Sequence, residues 1–309
     1  LLDLLALTDA VVYTQGVSKV DGALEPLPPG PGTCLPLSYG QLAPLLTALT
    51  STGSGRMEVV QSVQEAHPEF WGDFRVLPAL VRGLGDSYGE LAELNAQILK
   101  GAGPAPLPLL REDFDPAGSK AMARRVEVIS AIEGARATPW LREILPQAKK
   151  DVRTAVLAAL GANRENTPLL LELVQTEKGA NRDAVLQALA GQDGETIRAF
   201  WKKELEKHSG SVKFLEPSNA DWAIELVTGG LRERLERFLD GGERPTYEEG
   251  TEITSWCWVL GKKDSPVMLD FWRWADSRME DIDQLKDEKD RSFFFGVKLT
   301  ERLLDILRH

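Results

Sequence analysis

Residues 156–160 read Val156-Leu157-Ala158-Ala159-Leu160, and residues 185–189 read Val185-Leu186-Gln187-Ala188-Leu189. The two segments lie 29 residues apart, and the same offset joins Thr138-Pro139 to Thr167-Pro168. One step upstream, the related segment Val128-Ile129-Ser130-Ala131-Ile132 precedes the first of them by 28 residues. A regular period over three consecutive units predicts an array of two-helix repeats.

The repeated positions carry the residue types that stacked helical hairpins need. A two-helix hairpin cannot bury its apolar face alone, whereas neighbouring hairpins share one continuous core. A small side chain recurs where packed helices approach closely, at Ala131, Ala159 and Ala188. Thr138 and Thr167 each precede a proline and are favourable helix starts.

An arginine stands three residues before the repeated valine of each unit: Arg125, Arg153 and Arg182. A helix places residues three apart on neighbouring turns, so stacked units are expected to align these side chains in a ladder. Guanidinium groups match the geometry of carboxylates and phosphates. The three arginines are therefore candidate binding residues for an acidic or phosphorylated ligand, although pairing inside the fold is the favoured interpretation.

The segment from Asp151 to Gly161 resembles the second helix of a short HEAT repeat, the variety of about thirty residues also seen in phycobilin lyase proteins. The resemblance covers residues 120–205. It implies an all-α fold, an α-solenoid of HEAT-like helical hairpins, in which the Asp and Arg of the pattern form a structural ladder between repeats. Asp151 and Arg153 occupy these positions. In the next unit Arg182 matches, but Ala180 and Asn181 replace the expected residues before it.

Two proline-rich stretches divide the chain, because proline at this density excludes a continuous helix. We expect an N-terminal helical module over residues 1–100 with a Pro/Gly-rich loop at 21–36, a linker at 101–118, and a HEAT-like solenoid with tryptophan-rich C-terminal helices over 119–309. Apolar spacing predicts four helices in the first module, at 39–49, 56–65, 70–84 and 89–99.

Composition indicates a globular protein in a reducing compartment. Hydrophobic residues make up 43% and charged residues 27% of the chain, near the globular average. Cys34 and Cys257 form neither a disulfide framework nor a metal motif.

No apolar run reaches the roughly 18 residues that cross a bilayer. Acidic residues interrupt the apolar segment 1–12, which we interpret as a helix start rather than a leader. Residues 11–20 fit either a helix or a short hairpin. We therefore expect a cytoplasmic protein without membrane contact.

No catalytic, metal or cofactor site is predicted. Residues 85–89 match the G-x-S-x-G pattern of a hydrolase nucleophile elbow, but a helix precedes them and no parallel sheet is expected. Ser87 and Glu90 instead fit a capping box for the next helix. With three histidines and no C-x-x-C pair, the sequence contains no recognised metal motif.

Five of the eight tryptophans gather in the last third of the chain: Trp222, Trp256, Trp258, Trp272 and Trp274. Residues two apart in a helix point about 200° apart, so Trp256 and Trp258 cannot both occupy the centre of one buried face. The same holds for Trp272 and Trp274. Because large aromatic side chains dominate interface hot spots, we name Trp258 and Trp272 as candidate contact residues. Trp272 is the stronger candidate, since the surrounding apolar residues already complete a core face without it.

Solenoids expose an extended surface suited to protein recognition. The sequence therefore predicts a non-catalytic scaffold or adaptor that binds a protein partner. Two alternatives are a nucleic-acid-binding HEAT-like protein that resembles a DNA glycosylase, and an enzyme similar to a bilin lyase. The formal net charge of −11 opposes contact with nucleic acid.

Overall fold

The computed structural model describes residues 2–5, 35–241, 244–261, 263 and 265–286. This part of the chain consists of helices and turns without a β-strand, which confirms the all-α prediction. The described residues from 35 onward cluster as one compact unit, and of residues 1–30 only the helical turn at 2–5 is described. Segment 11–20 and most of the predicted loop at 21–36 lie outside the described residues. No described helix is long and apolar enough to cross a bilayer.

The described α-helices are, in chain order, α1 (Tyr39–Thr50), α2 (Arg56–Ala66), α3 (Leu77–Gly83), α4 (Gly89–Gly101), α5 (Leu107–Arg111), α6 (Lys120–Glu133), α7 (Thr138–Ile144), α8 (Lys150–Ala159), α9 (Thr167–Thr176), α10 (Gly179–Ala190), α11 (Glu195–Lys207), α12 (Asp221–Gly241), α13 (Tyr247–Leu260), α14 (Met268–Ser277) and α15 (Met279–Gln284). Short 3₁₀ segments join several of them, among them Pro68–Gly72 and Ser209–Leu215.

The predicted helix at 70–84 is split in two, a 3₁₀ turn at Pro68–Gly72 and α3 from Leu77. Asp73 causes the break, because its buried carboxylate accepts hydrogen bonds from the backbone N–H of Leu35 (3.0 Å) and from Arg75 Nε (2.8 Å). Arg75 Nη1 in turn donates to the backbone oxygen of Leu37 (2.8 Å). The turn therefore anchors the chain that leads into α1.

The proline-rich segment 101–118, predicted as a linker, contains a short helix that packs against its neighbours. It contains α5, which packs against α3 and α6 and whose Leu110 is fully buried. Arg125 of α6 donates to the backbone oxygens of Leu110 (3.3 Å) and Glu112 (2.7 Å). Proline in the first turn of a helix removes no helical hydrogen bond, so Pro108 is compatible with α5.

The second helices of the repeated units pack side by side. Helix α6 packs against α8, and α8 packs against α10. The arrangement continues at both ends, since α4 packs against α6 and Ser209–Leu215 packs against α10. The repeated valines Val128, Val156 and Val185 are all fully buried. We call α4, α6, α8, α10 and Ser209–Leu215 the stacked row.

Most members of the stacked row also pack on the helix that precedes them: α4 on α3, α6 on α5, α10 on α9, and Ser209–Leu215 on α11. At the C-terminal end, α12 packs against α11 and α13, and α13 packs against Ser209–Leu215. Lys263, just after α13, donates from Nζ to the backbone oxygens of Leu215 (3.0 Å) and Glu216 (2.9 Å). The tryptophan-rich helices are thus joined to the stacked row.

Side-chain hydrogen bonds repeat with the period of the sequence. Asn163 Nδ2 donates to Thr138 Oγ1 (3.1 Å), and Thr167 Oγ1 donates to Gln192 Oε1 (2.5 Å). Both ends of the second bond lie 29 residues after the ends of the first. The two threonines stand at the first residues of α7 and α9, as predicted, and their hydroxyl groups connect consecutive units.

Candidate binding groove

Two of the three repeat arginines form ion pairs inside the fold. Arg153 Nε lies 3.0 Å from Glu177 Oε1, and Arg153 Nη1 donates to the backbone oxygen of Leu145 (3.0 Å). Arg182 Nη2 lies 2.8 Å from each carboxylate oxygen of Glu204. The hydrogen bond from Arg153 lowers the pKa of Glu177. Arg153 therefore connects α8 to the residue that follows α9, and Arg182 connects α10 to α11.

Arg125, the first member of the ladder, bonds backbone carbonyl groups instead of a carboxylate. Its Nε is buried and has no hydrogen-bond partner in the described structure. Burial lowers the pKa of Arg125. The side chain lines a cleft of about 240 Å³ together with Arg82, Glu112 and Asp113. Because this cleft mixes both signs of charge, it offers no preference for an anion.

The tryptophan pair on α13 divides between core and surface, as the spacing predicts. Trp256 is 2% exposed and its Nε1 donates to Ser209 Oγ (2.9 Å), whereas Trp258 is 56% exposed. On α14, Trp272 and Trp274 are both half-buried against Phe271, with ring centroids 5.3 and 5.7 Å from the Phe271 centroid. Trp258 is therefore more accessible than Trp272, the reverse of the expected order.

The capping box predicted at Ser87 and Glu90 is not formed. Helix α4 begins after Tyr88 without a side-chain cap. Asp86 instead accepts from the Tyr88 backbone N–H (2.8 Å) and binds Arg56 through both carboxylate oxygens (2.6 and 3.1 Å). The G-x-S-x-G segment is thus held by an ion pair to α2. Within the described ranges, no group of three or more His, Cys, Asp or Glu side chains is placed to hold a metal ion.

A groove of about 770 Å³ crosses the stacked row from α4 to Ser209–Leu215. Six alanines contribute to its lining: Ala123, Ala155, Ala158, Ala159, Ala180 and Ala184. We call it the alanine groove. A second hollow of about 700 Å³, also lined by Lys213 and Glu216, shares Gln187 and Phe214 with it. The two hollows therefore meet at Phe214.

The charged groups of the alanine groove are mainly acidic. Four carboxylates line it, Glu93, Glu127, Asp151 and Asp183, together with two cationic side chains, Lys120 and Arg124. Arg124 is 7% exposed, its Nη1 donates to the backbone oxygen of Leu84 (2.8 Å), and its Nε lies 4.0 Å from Glu93. One of the two positive charges is therefore already held by the protein.

Glu127, near the middle of α6, shows the electrostatic effect of the groove. Partial desolvation of its carboxylate raises the pKa of Glu127, and the neighbouring charge of Glu93 raises it further. The cations Lys100, Arg124 and Lys120 act in the opposite direction. On the next turn of α6, the hydroxyl oxygen of Ser130 is buried without a hydrogen-bond partner among the described residues. The groove thus holds polar groups that the fold itself leaves without partners.

This surface was not predicted from the sequence: of the repeated alanines assigned to helix packing, only Ala159 lines it. A signal was present, since Asp151, Thr154, Ala155, Ala158 and Ala159 follow the spacing of one helical face. None of these five residues is bulky and apolar, which is typical of an open surface rather than a core.

The chain matches no protein-family model, no curated protein and no solved structure.

Proposed function

We propose that this protein is a HEAT-like α-solenoid that acts as a non-catalytic scaffold or adaptor and binds a protein partner in the alanine groove. The observation that carries the proposal is that three consecutive helices of the stacked row, α6, α8 and α10, each contribute at least one alanine and one carboxylate to one continuous surface. A surface built by stacked repeats suits an extended macromolecular ligand.

The solenoid part of the proposal is supported by agreement between sequence period and packing. Helices α6, α8 and α10 follow one another in the chain at the repeat spacing and pack in the same order. The hydrogen bonds of Thr138 and Thr167 repeat at that spacing as well. A shared core between consecutive hairpins is the feature that defines repeat proteins.

The charge of the alanine groove favours a protein ligand over nucleic acid. Binding to a phosphate backbone requires clusters of Lys and Arg that replace counterions. The groove has four carboxylates and two cationic side chains, and the cation Arg124 is largely buried. A duplex placed here would meet repulsion, so the alternative of a glycosylase-like protein has no support from this surface.

The proposal is tested by blocking the groove. Ala158→Trp places a large side chain on the groove floor, and Gln175→Trp makes a comparable addition at an exposed position of α9. The tagged full chain and both variants are used to capture partners from extract of the native cells, and the captured protein is then purified and tested for direct binding.

We expect the wild type and Gln175→Trp to capture the same protein, and Ala158→Trp to lose it while retaining its thermal unfolding temperature. Equal capture by all three proteins, confirmed with the purified partner, would show that the groove is not the binding surface.

A further inference from the structure

We infer that the part of the partner held by the alanine groove is a basic segment with Lys or Arg side chains spaced by the helix-to-helix distance of the stacked row. This inference rests on the proposed function and adds the chemistry of the ligand to it. Three observations support it: carboxylates without partners, their distribution over consecutive helices, and an aromatic side chain at the end of the groove.

Three carboxylates of the groove differ from the two acidic groups that the repeat arginines bind between units. Glu127, Asp151 and Asp183 make no hydrogen bond or ion pair with any described residue. In contrast, Glu177 and Glu204 of the same units are bound by arginines. The fold thus pairs these two acidic groups between units and leaves three of the four groove carboxylates without a side-chain partner, while the fourth, Glu93, lies 4.0 Å from Arg124.

The three free carboxylates come from three neighbouring helices, Glu127 from α6, Asp151 from α8 and Asp183 from α10. Packed helices have axes about 8–10 Å apart. A chain in the polyproline II conformation has three residues per turn and rises about 3.1 Å per residue, so Lys or Arg at every third residue recurs on one face at nearly this distance. A basic segment that crosses the helices can therefore place one cation against each carboxylate.

The floor of the groove favours close approach of such a segment. Alanine side chains leave room for a ligand backbone between the carboxylates, and long Lys or Arg stems can lie along them. Phe214, half-buried at the junction of the two hollows, offers an apolar contact at one end. Lys213 Nζ lies 4.8 Å from the centre of the Phe214 ring, so a cation of the protein itself contacts one face of this ring.

The test uses the full chain and fluorescein-labelled peptides of about twelve residues, a length that spans the groove in extended form. One peptide carries lysine at every third position among Gly, Ser and Ala. A second has glutamine in place of each lysine, and a third has the same lysines gathered at one end. Fluorescence anisotropy at several salt concentrations measures the affinity of each peptide.

The groove is neutralised by the triple variant Glu127→Gln, Asp151→Asn, Asp183→Asn. The matched control, Glu143→Gln, Glu172→Gln, Glu206→Gln, changes the net charge by the same amount at exposed positions of α7, α9 and α11. Because both variants remove three carboxylates, only an effect of position distinguishes them.

We expect the spaced-lysine peptide to bind the wild type and the control variant equally, and the groove variant about tenfold more weakly, which corresponds to about 0.5 kcal/mol for each exposed ion pair. The clustered-lysine and glutamine peptides should bind more weakly than the spaced-lysine peptide, and added salt should reduce its affinity.

Equal weakening by both triple variants would overturn the inference, because binding would then follow the mean charge of the chain. Equal affinity for the spaced and clustered peptides would overturn the predicted spacing. If partner capture is blocked by Ala158→Trp while no lysine peptide binds, the proposed function stands and this inference is wrong. If capture is unaffected by the blocked groove, the proposed function is wrong.

Discussion

Lys150 and Gly179 lie 29 residues apart and share a left-handed backbone, with φ of 46° and 54°. They are the first residues of α8 and α10. Each follows a lysine in extended conformation, Lys149 with φ −129° and Lys178 with φ −135°. Helices α8 and α10 therefore begin with the same backbone conformation, although Lys150 has a β-carbon and Gly179 does not.

This relationship predicts opposite effects of exchanging the two residue types. Gly179→Ala should destabilise the protein by about 1 kcal/mol, because an L side chain in the left-handed region costs about 1–2 kcal/mol. Lys150→Gly should relieve that cost and stabilise by about 0.5 kcal/mol after the added entropy of the unfolded chain. Urea denaturation of both variants measures the changes in the free energy of unfolding. Destabilisation by Lys150→Gly larger than that by Gly179→Ala would contradict the shared strain.

A second prediction concerns Gly161, where the turn after α8 approaches α10. A β-carbon at this position would lie 2.8 Å from Ala188 Cα and 2.9 Å from the Ala188 backbone oxygen, so backbone atoms would have to move. Gly161→Ala should therefore cost about 2 kcal/mol of stability through overpacking.

The control is Gly229→Ala in α12, where no atom lies within 4 Å of the added carbon. There the same change should stabilise by about 0.5 kcal/mol, because alanine favours helix. Thermal unfolding of the two variants should give shifts of opposite sign, and a gain in stability for Gly161→Ala would rule out the close approach.

A third prediction tests the structural role of Arg182. Its partner Glu204 is 6% exposed and also accepts from Ser211 Oγ (2.8 Å). Arg182→Met should destabilise by about 3 kcal/mol, because it leaves a buried carboxylate without its cation. Arg232→Met breaks the exposed pair with Glu236 and should cost less than about 1 kcal/mol. Equal costs in chemical denaturation would mean that Arg182 is not needed between units and is available for a ligand.

A fourth prediction concerns stability in acid. The ion pair and hydrogen bonds with Arg75 lower the pKa of buried Asp73 to about 2. Because the folded-state pKa lies below the unfolded value of about 4, the stabilisation is complete above pH 4 and is lost as the pH falls towards 2. The loss amounts to about 2 kcal/mol, since one pKa unit corresponds to about 1.4 kcal/mol.

Asp73→Asn should therefore be less stable than the wild type at pH 7 and should lose less stability between pH 4 and pH 2. Denaturation midpoints across this range measure the difference. Parallel pH profiles for the two proteins would show that Asp73 does not titrate in the expected window.

The positions of most helices and their regular repeat could be predicted from local sequence. Apolar spacing, the paired Thr-Pro segments and the recurring Val-Leu core depend on neighbours within one turn, so helix starts such as Thr138 and Thr167 could be predicted. The break at Asp73 could not, because it depends on Leu35 and Leu37, which are remote in sequence. The packing of residues 101–118 likewise depends on the hydrogen bond that Arg125 of α6 donates to the backbone oxygen of Leu110 in α5.

Only the tertiary structure distinguishes Glu177 and Glu204, which are bound by arginines, from Asp151 and Asp183, which line the groove without a partner. All four are acidic residues in or beside amphipathic helices, and nothing in their local sequence separates them. Their environments depend on which helix packs beside each one. Local periodicity therefore determines where helices form, while the stacking of units determines which charges are neutralised and which remain without a partner in the groove.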